Sequence, residues 1–157
     1  MKEQRRNNPH LEDEDEYAHA LPIPENFSIS IARKAQRLLS EKVKIPSQSE
    51  LDEIRLVAGV DVAYWGKLCF SAAAVMRLPD LRVVEEQSAI STNKFPYVPT
   101  LLAYRECSPV RKVLAKLKGH ADAYIFNGHG LAHPFGLGLA SHLGVVLGIK
   151  SIGVARR

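Results

Sequence analysis

Cysteine is nearly absent from this 157-residue chain: Cys69 and Cys107 are the only two, with no CxxC pair and no histidine at zinc-ligand spacing nearby. Neither a disulfide framework nor a zinc site is suggested, and a reducing, cytoplasmic setting is the expectation. Long apolar runs are missing too. The longest, 136–149, is broken by Ser141, His142 and four glycines, so no membrane-spanning segment is expected. No basic start leads into an apolar stretch, which argues against a secretory signal. Nor is there an internal repeat or the glycine periodicity of a collagen.

What remains is the composition of one globular domain, 46% hydrophobic and 24% charged, long enough to bury a single core. The formal charge of +4 is unevenly spread. Residues 1–26 carry three basic and seven acidic side chains, a net of −4, while 27–157 carry 18 basic and 10 acidic, a net of +8. The first segment, with its run Glu12 to Glu16, reads as a flexible acidic extension, either a solubilising tail or an acidic lid over the basic body. The basic body favours a polyanionic partner such as nucleic acid.

Apolar spacing predicts an amphipathic helix over 31–43, packed through Ile31, Ala35, Leu38, Leu39 and Val43. Three strands follow, over 54–63, 68–78 and 81–91, joined by tight turns at Gly66-Lys67 and Pro79-Asp80 and so forming an antiparallel meander. Pro99 opens a helical stretch through Glu106, a second short helix covers 110–117, and the run 121–126 reads as a buried strand. A loop at 128–130, a helix over 137–147 and a last strand over 151–155 complete the pattern. The fold class is α/β: an antiparallel meander continued by parallel α/β units, a mixed sheet flanked by helices.

Asp61 lies within an apolar strand, where a carboxylate costs several kcal/mol unless paired, hydrogen-bonded or bound to a metal. A carboxylate bonded to backbone amides or to an arginine would satisfy that requirement as well as a metal would. Glu106, beside Arg105 on a helix, is by itself unremarkable. The strand 121–126 runs into Asn127-Gly128-His129-Gly130, where glycines allow a tight turn at the carboxyl edge of the sheet and present side chains there. His133 and His142 are nine residues apart, not stacked on one helical face at metal-ligand spacing, so they are unconvincing as a zinc pair; a loop histidine and a helix histidine near phosphates suit them better.

Five segments together resemble the endonuclease V family: Val57-Ala-Gly-Val-Asp61; Phe95-Pro-Tyr-Val-Pro99 with Leu101-Leu-Ala-Tyr-Arg-Glu106; Asn127-Gly-His-Gly-Leu-Ala-His-Pro134; Gly138-Leu-Ala-Ser-His-Leu-Gly144; and Ile152-Gly-Val-Ala155. The resemblance covers about residues 31–157 and implies an RNase H-like fold. It further implies a Mg²⁺- or Mn²⁺-dependent endonuclease that cuts DNA or RNA near deaminated purines, with no small-molecule cofactor. Asp61 and Glu106 match two of the family's metal carboxylates, and Asn127 stands where the family carries another Asp. Pro96-Tyr97-Val98-Pro99 matches the wedge loop, with Tyr97 as the inserted ring. Gly128, His129, Gly130, His133, His142 and Arg156 fall at positions implied to contact nucleic acid.

Three departures accompany the match. Asn127 keeps an oxygen but loses a negative charge. Phe135 replaces the basic residue that usually follows the His-Pro pair, removing a phosphate contact. Arg156 stands in place of a Lys. Family members also continue beyond the position of Arg157, so residues 27–157 are expected to form a C-terminally incomplete domain with apolar surface left uncovered. A second reading is therefore a homologue that recognises the lesion without cutting. A small-ligand α/β domain has only the glycine-containing loop in its favour.

Overall fold

The computed structural model describes residues 22–156. Most of the acidic extension expected over residues 1–26 lies outside them. Five strands form one sheet in the order β3-β2-β1-β4-β5: β1 Leu56–Trp65, β2 Leu68–Arg77, β3 Arg82–Thr92, β4 Ala123–Asn127 and β5 Ser151–Val154. β1, β2 and β3 are antiparallel neighbours, while β4 and β5 run parallel to β1. The mixed sheet expected from the alternation of apolar runs is the one observed.

The helices are α1 Ile29–Ser40, α2 Gln48–Asp52, α3 Leu102–Leu114 and α4 Leu139–Leu147. α3 and α4 pack on one face of the sheet, and α1 rests on α4. Alternation along the strands points Ala58 and Val60 of β1, Ala73 and Val75 of β2, and Tyr124 and Phe126 of β4 into this layer, where they meet Val110 and Val113 of α3 and Leu139 and Leu143 of α4. No described helix covers the opposite face, and the apolar Phe70, Ile90, Ile152 and Val154 are exposed.

Three expectations are corrected. Segment 44–53, read as a loop around Pro46, contains the one-turn helix α2, nucleated by a capping box in which Ser47 and Glu50 satisfy each other's backbone amides. The predicted break between two helices near residue 109 does not occur: α3 continues through Pro109. Pro109 forfeits one backbone bond, but it shares a buried face with Ala103, Glu106, Val110 and Val113, and that packing offsets the loss.

The third correction concerns α1. Ile31 and Leu38, taken as packing residues, are 69% and 53% exposed, while Ala32 and Gln36 are buried. A polar anchor sets the rotation. Gln36 Nε2 donates to the carbonyls of Thr100 (2.9 Å) and Leu137 (2.8 Å), and those bonds turn the helix away from its most apolar face.

Because Phe126 is fully buried and Ile90 stands on the bare face, Phe126→Ala should cost about 3–5 kcal/mol of stability. Ile90→Ala should cost under about 1 kcal/mol, because Ile90 is exposed opposite Phe70 on that face. Denaturant titration of the two variants checks this, and a larger loss at Ile90 would contradict the placement of the core.

Candidate active site and nucleic-acid interface

β1 is a long strand and β4 a short one, and this difference creates the site. Their parallel pairing runs from Val57–Ala123 to Val60–Phe126 and stops, so Asp61 and Asn127 are the next residues on each strand at the carboxyl edge. Asn127 Nδ2 donates to Asp61 Oδ1 at 3.3 Å. Both side chains are exposed. They border a shallow depression of about 870 Å³ on the bare face, floored by Gly59 and Ala72 and flanked by Val154. Across the sheet, Asp61 lies opposite Ala72 of β2, whose small side chain leaves the carboxylate open.

Glu106 reaches this edge from the helical layer. It is 8% exposed on the inward side of α3, and its Oε1 accepts from the Tyr64 hydroxyl at 3.4 Å. Burial, reinforced by the negative charge of Asp61, pushes its carboxyl up to about 7; the Tyr64 hydroxyl and the Arg105 guanidinium pull the other way. Arg105 in turn lies 4.0 Å from the Tyr64 ring centroid. Burial first, and the Glu106 charge second, raise the Tyr64 hydroxyl above its usual range. Asp61 thus touches the Asn127 amide on one side and acts through its charge on the Glu106 carboxyl on the other, two carboxylates and one amide in place of three carboxylates. Among the described residues, no group of three His, Cys, Asp or Glu side chains is placed to hold a metal. Asn127, an amide, falls outside those four residue types.

A second feature lies beside the first. The loop after β4 turns back tightly: the Gly138 amide donates to the Gly130 carbonyl, and the Ala140 amide donates to that of His129 (both 3.0 Å). Gly138 is required there, because a Cβ would collide with the His129 carbonyl; a Cβ on Gly153 would likewise strike Gly128 and Gly130. The result is a slot of about 240 Å³ bordered by Gln36, Tyr97, Thr100, His129, His133 and Gly138.

Tyr97 is 41% exposed at the slot's rim, while Pro96 is buried, Val98 half-buried and Pro99 exposed. Beneath this loop, Phe27 packs edge-on against Phe95 (4.7 Å between centroids) and Tyr104 (5.3 Å), which anchors its base. Thr100 is held at φ 74°, a strained conformation for a β-branched residue, and its carbonyl anchors Gln36. The Phe135 amide donates to His133 Nδ1 at 3.2 Å, leaving Nε2 to carry the proton in the neutral ring, and burial lowers the His133 pKa.

Most of the residues singled out in the sequence therefore gather along one edge. Arg156 follows β5 just past Val154, which pairs with Asn127. His142 is not brought there: it is buried in α4, edge-on to Tyr104 at 5.6 Å, and burial lowers its pKa. Gln36 and Thr100 were missed. The available signal was a glutamine interrupting the stripe that begins at Ala32, visible only once the buried side of α1 is known.

A family model described as Endonuclease V matches residues 37–157. The chain belongs to the endonuclease V family. It is 42% identical over 135 residues to the endonuclease V of Thermofilum pendens, covering 86% of this chain and 58% of that one. The crystal structure of the Streptomyces avermitilis endonuclease V superimposes with a TM-score of 0.73 at 37% identity, covering 87% of this chain and 61% of that one. The Ciona intestinalis endonuclease V superimposes with a TM-score of 0.75 at 30% identity, covering 81% and 57%. That protein was crystallised with a 24mer DNA containing an inosine followed by a ribo-adenosine. The fold is the RNase H-like mixed sheet of these endonuclease V structures. The chain spans about three-fifths of the length of the relatives it matches. No helix among the described residues is long and apolar enough to cross a membrane.

Glu106 has a testable consequence for stability. Its pKa rises from 4.5 to about 7 on folding, so the folded chain holds that proton more tightly and the resulting stability is complete below pH 4.5. The contribution is lost as pH rises through about 7. Glu106→Gln should remove this component, so that in chelator the parent loses stability relative to the variant across that window. A difference that stays flat with pH would contradict the burial of an ionisable carboxyl at this position.

Proposed function

We propose that this chain carries the catalytic face of a divalent-metal-dependent endonuclease that cuts a phosphodiester near a deaminated purine. The observation that carries the reading is the convergence of Asp61, Glu106 and Asn127 beside the slot rimmed by Tyr97. Two carboxylates and an amide oxygen suit Mg²⁺ or Mn²⁺, and a carboxyl whose pKa is raised by burial and by a second carboxylate gains most from a neighbouring cation. A divalent cation there supplies charge stabilisation at a phosphodiester under attack. Asn127, whose amide nitrogen faces Asp61, would present its oxygen to the cation after turning about its terminal bond.

The chain's own residues account for lesion selection. Prolines on both sides of Tyr97 stiffen the loop so that the ring can enter a base stack; unstacking costs a few kcal/mol, least where pairing is already weak. The displaced base would lie in the slot against His129 and His133, with Gly138 leaving room beside it. Inosine-containing nucleic acid is the substrate class, by analogy with the DNA held by the Ciona intestinalis protein. Arg156 at the same edge would contact phosphate.

One observation favours a second reading. Asn127 removes a charge that holds the cation, which suits a protein that binds the lesion without cutting.

An end-labelled duplex with one inosine, tested with Mg²⁺ or Mn²⁺ against an undamaged control, decides between them. Metal-dependent nicking of the inosine strand alone is expected. Asn127→Asp should tighten metal binding on the order of tenfold or more, since affinity follows ligand charge count. Selective binding with no nicking by either form would establish the binder, and neither binding nor nicking would overturn both.

A further inference from the structure

A cationic pair next to the slot has no assigned role. Arg33 and Arg37 lie one helical turn apart on α1, with guanidinium carbons 5.8 and 5.9 Å from the centroid of the Phe135 ring. Like charges at this spacing repel. Among the described residues neither has a carboxylate partner, the one ion pair there being Arg77–Asp80. A guanidinium resting on an aromatic face keeps its N–H edges free for a planar or tetrahedral anion.

The pair is also physically joined to the slot. The Phe135 and His133 ring centroids are 5.9 Å apart, and those of His133 and His129 are 6.3 Å apart, so a row of rings leads from the slot to the arginines. Gln36, between Arg33 and Arg37 in sequence, ties the same stretch of α1 to Thr100 and Leu137 at the slot's wall. Gly136, whose Cβ position would lie 3.8 Å from Ser40, shows how closely the loop follows the helix.

We propose that Arg33 and Arg37, set over the ring of Phe135, form a clamp for backbone phosphates of the nucleic-acid strand that enters the slot. The clamp rests on the nucleic-acid reading above, but not on cleavage. It places on α1 the phosphate contact that a basic residue at position 135 would otherwise make. Because phosphates carry no base information, the clamp adds affinity to damaged and undamaged strands alike.

Fluorescence anisotropy of the full chain, with labelled duplexes carrying inosine or no lesion, tests it across a salt series. For Arg33→Gln with Arg37→Gln, the slope of log affinity against log salt should fall by about 1.8, the loss of two phosphate contacts, equally on both duplexes. Arg82→Gln with Lys118→Gln removes the same charge at the opposite end of the sheet and should leave the slope near that of the parent. Phe135→Leu keeps both charges, so it should retain the slope while weakening binding severalfold.

A slope unchanged in the Arg33/Arg37 variant, or an equal fall in the Arg82/Lys118 control, would overturn the clamp. Failure to nick with the slope change intact would count against the endonuclease reading and leave the clamp standing.

Discussion

Everything at the candidate site depends on where the parallel ladder between β1 and β4 ends. Had β4 run on alongside β1, Asp61 and Asn127 would be one more cross-strand pair within a continuous sheet. Because β4 stops at Asn127, β1 continues with a neighbour only on the β2 side, and a gap opens at the carboxyl edge. Asp61 and Asn127 border the gap from the strands, and Glu106 approaches it from the helical layer beneath. The loop beyond Asn127 then fills the rest of the edge, folded back on Gly138 and Gly153, where any side chain would collide with backbone.

The electrostatic cost of this arrangement is concentrated on one group. Asp61 is solvated, whereas Glu106 is buried within reach of the Asp61 charge, so the folded chain favours a proton there near neutral pH. Tyr64 and Arg105 offset only part of that penalty. A site built this way is short of positive charge, and that shortage is the electrostatic ground for the cation proposed there. An amide at position 127 beside Asp61 adds no further negative charge, so the repulsion felt by Glu106 comes from Asp61.

Around the slot, polar contacts prevail over hydrophobic patterning. α1 carries Ile31 and Leu38 outward because two hydrogen bonds from Gln36 fix its rotation. That same rotation sets Arg33 and Arg37 against Phe135. Reading α1 by apolar spacing alone gives the element correctly and its inward face incorrectly, since summed hydrophobicity cannot register a buried amide that binds two carbonyls from distant segments. α3 errs in the other direction: Pro109 is a sound signal for a break, but the packing of its neighbours overrides local propensity.

The sequence by itself determined the five strands, their order, the mixed sheet, three of the helical regions and the short segments around Asp61, Glu106, Asn127 and Tyr97, because alternation, helical spacing and turn residues act locally; it missed α2 and split α3 at Pro109. It also determined the separation of charge between residues 1–26 and the rest. Only the tertiary structure decided that Glu106 is buried, that His142 faces the core, and that Gln36 and Thr100 wall the slot. It also decided that two arginines share the ring of Phe135. These depend on contacts between residues as far as 101 positions apart, as with Gln36 and Leu137, and no local pattern encodes which distant carbonyl a side chain will meet.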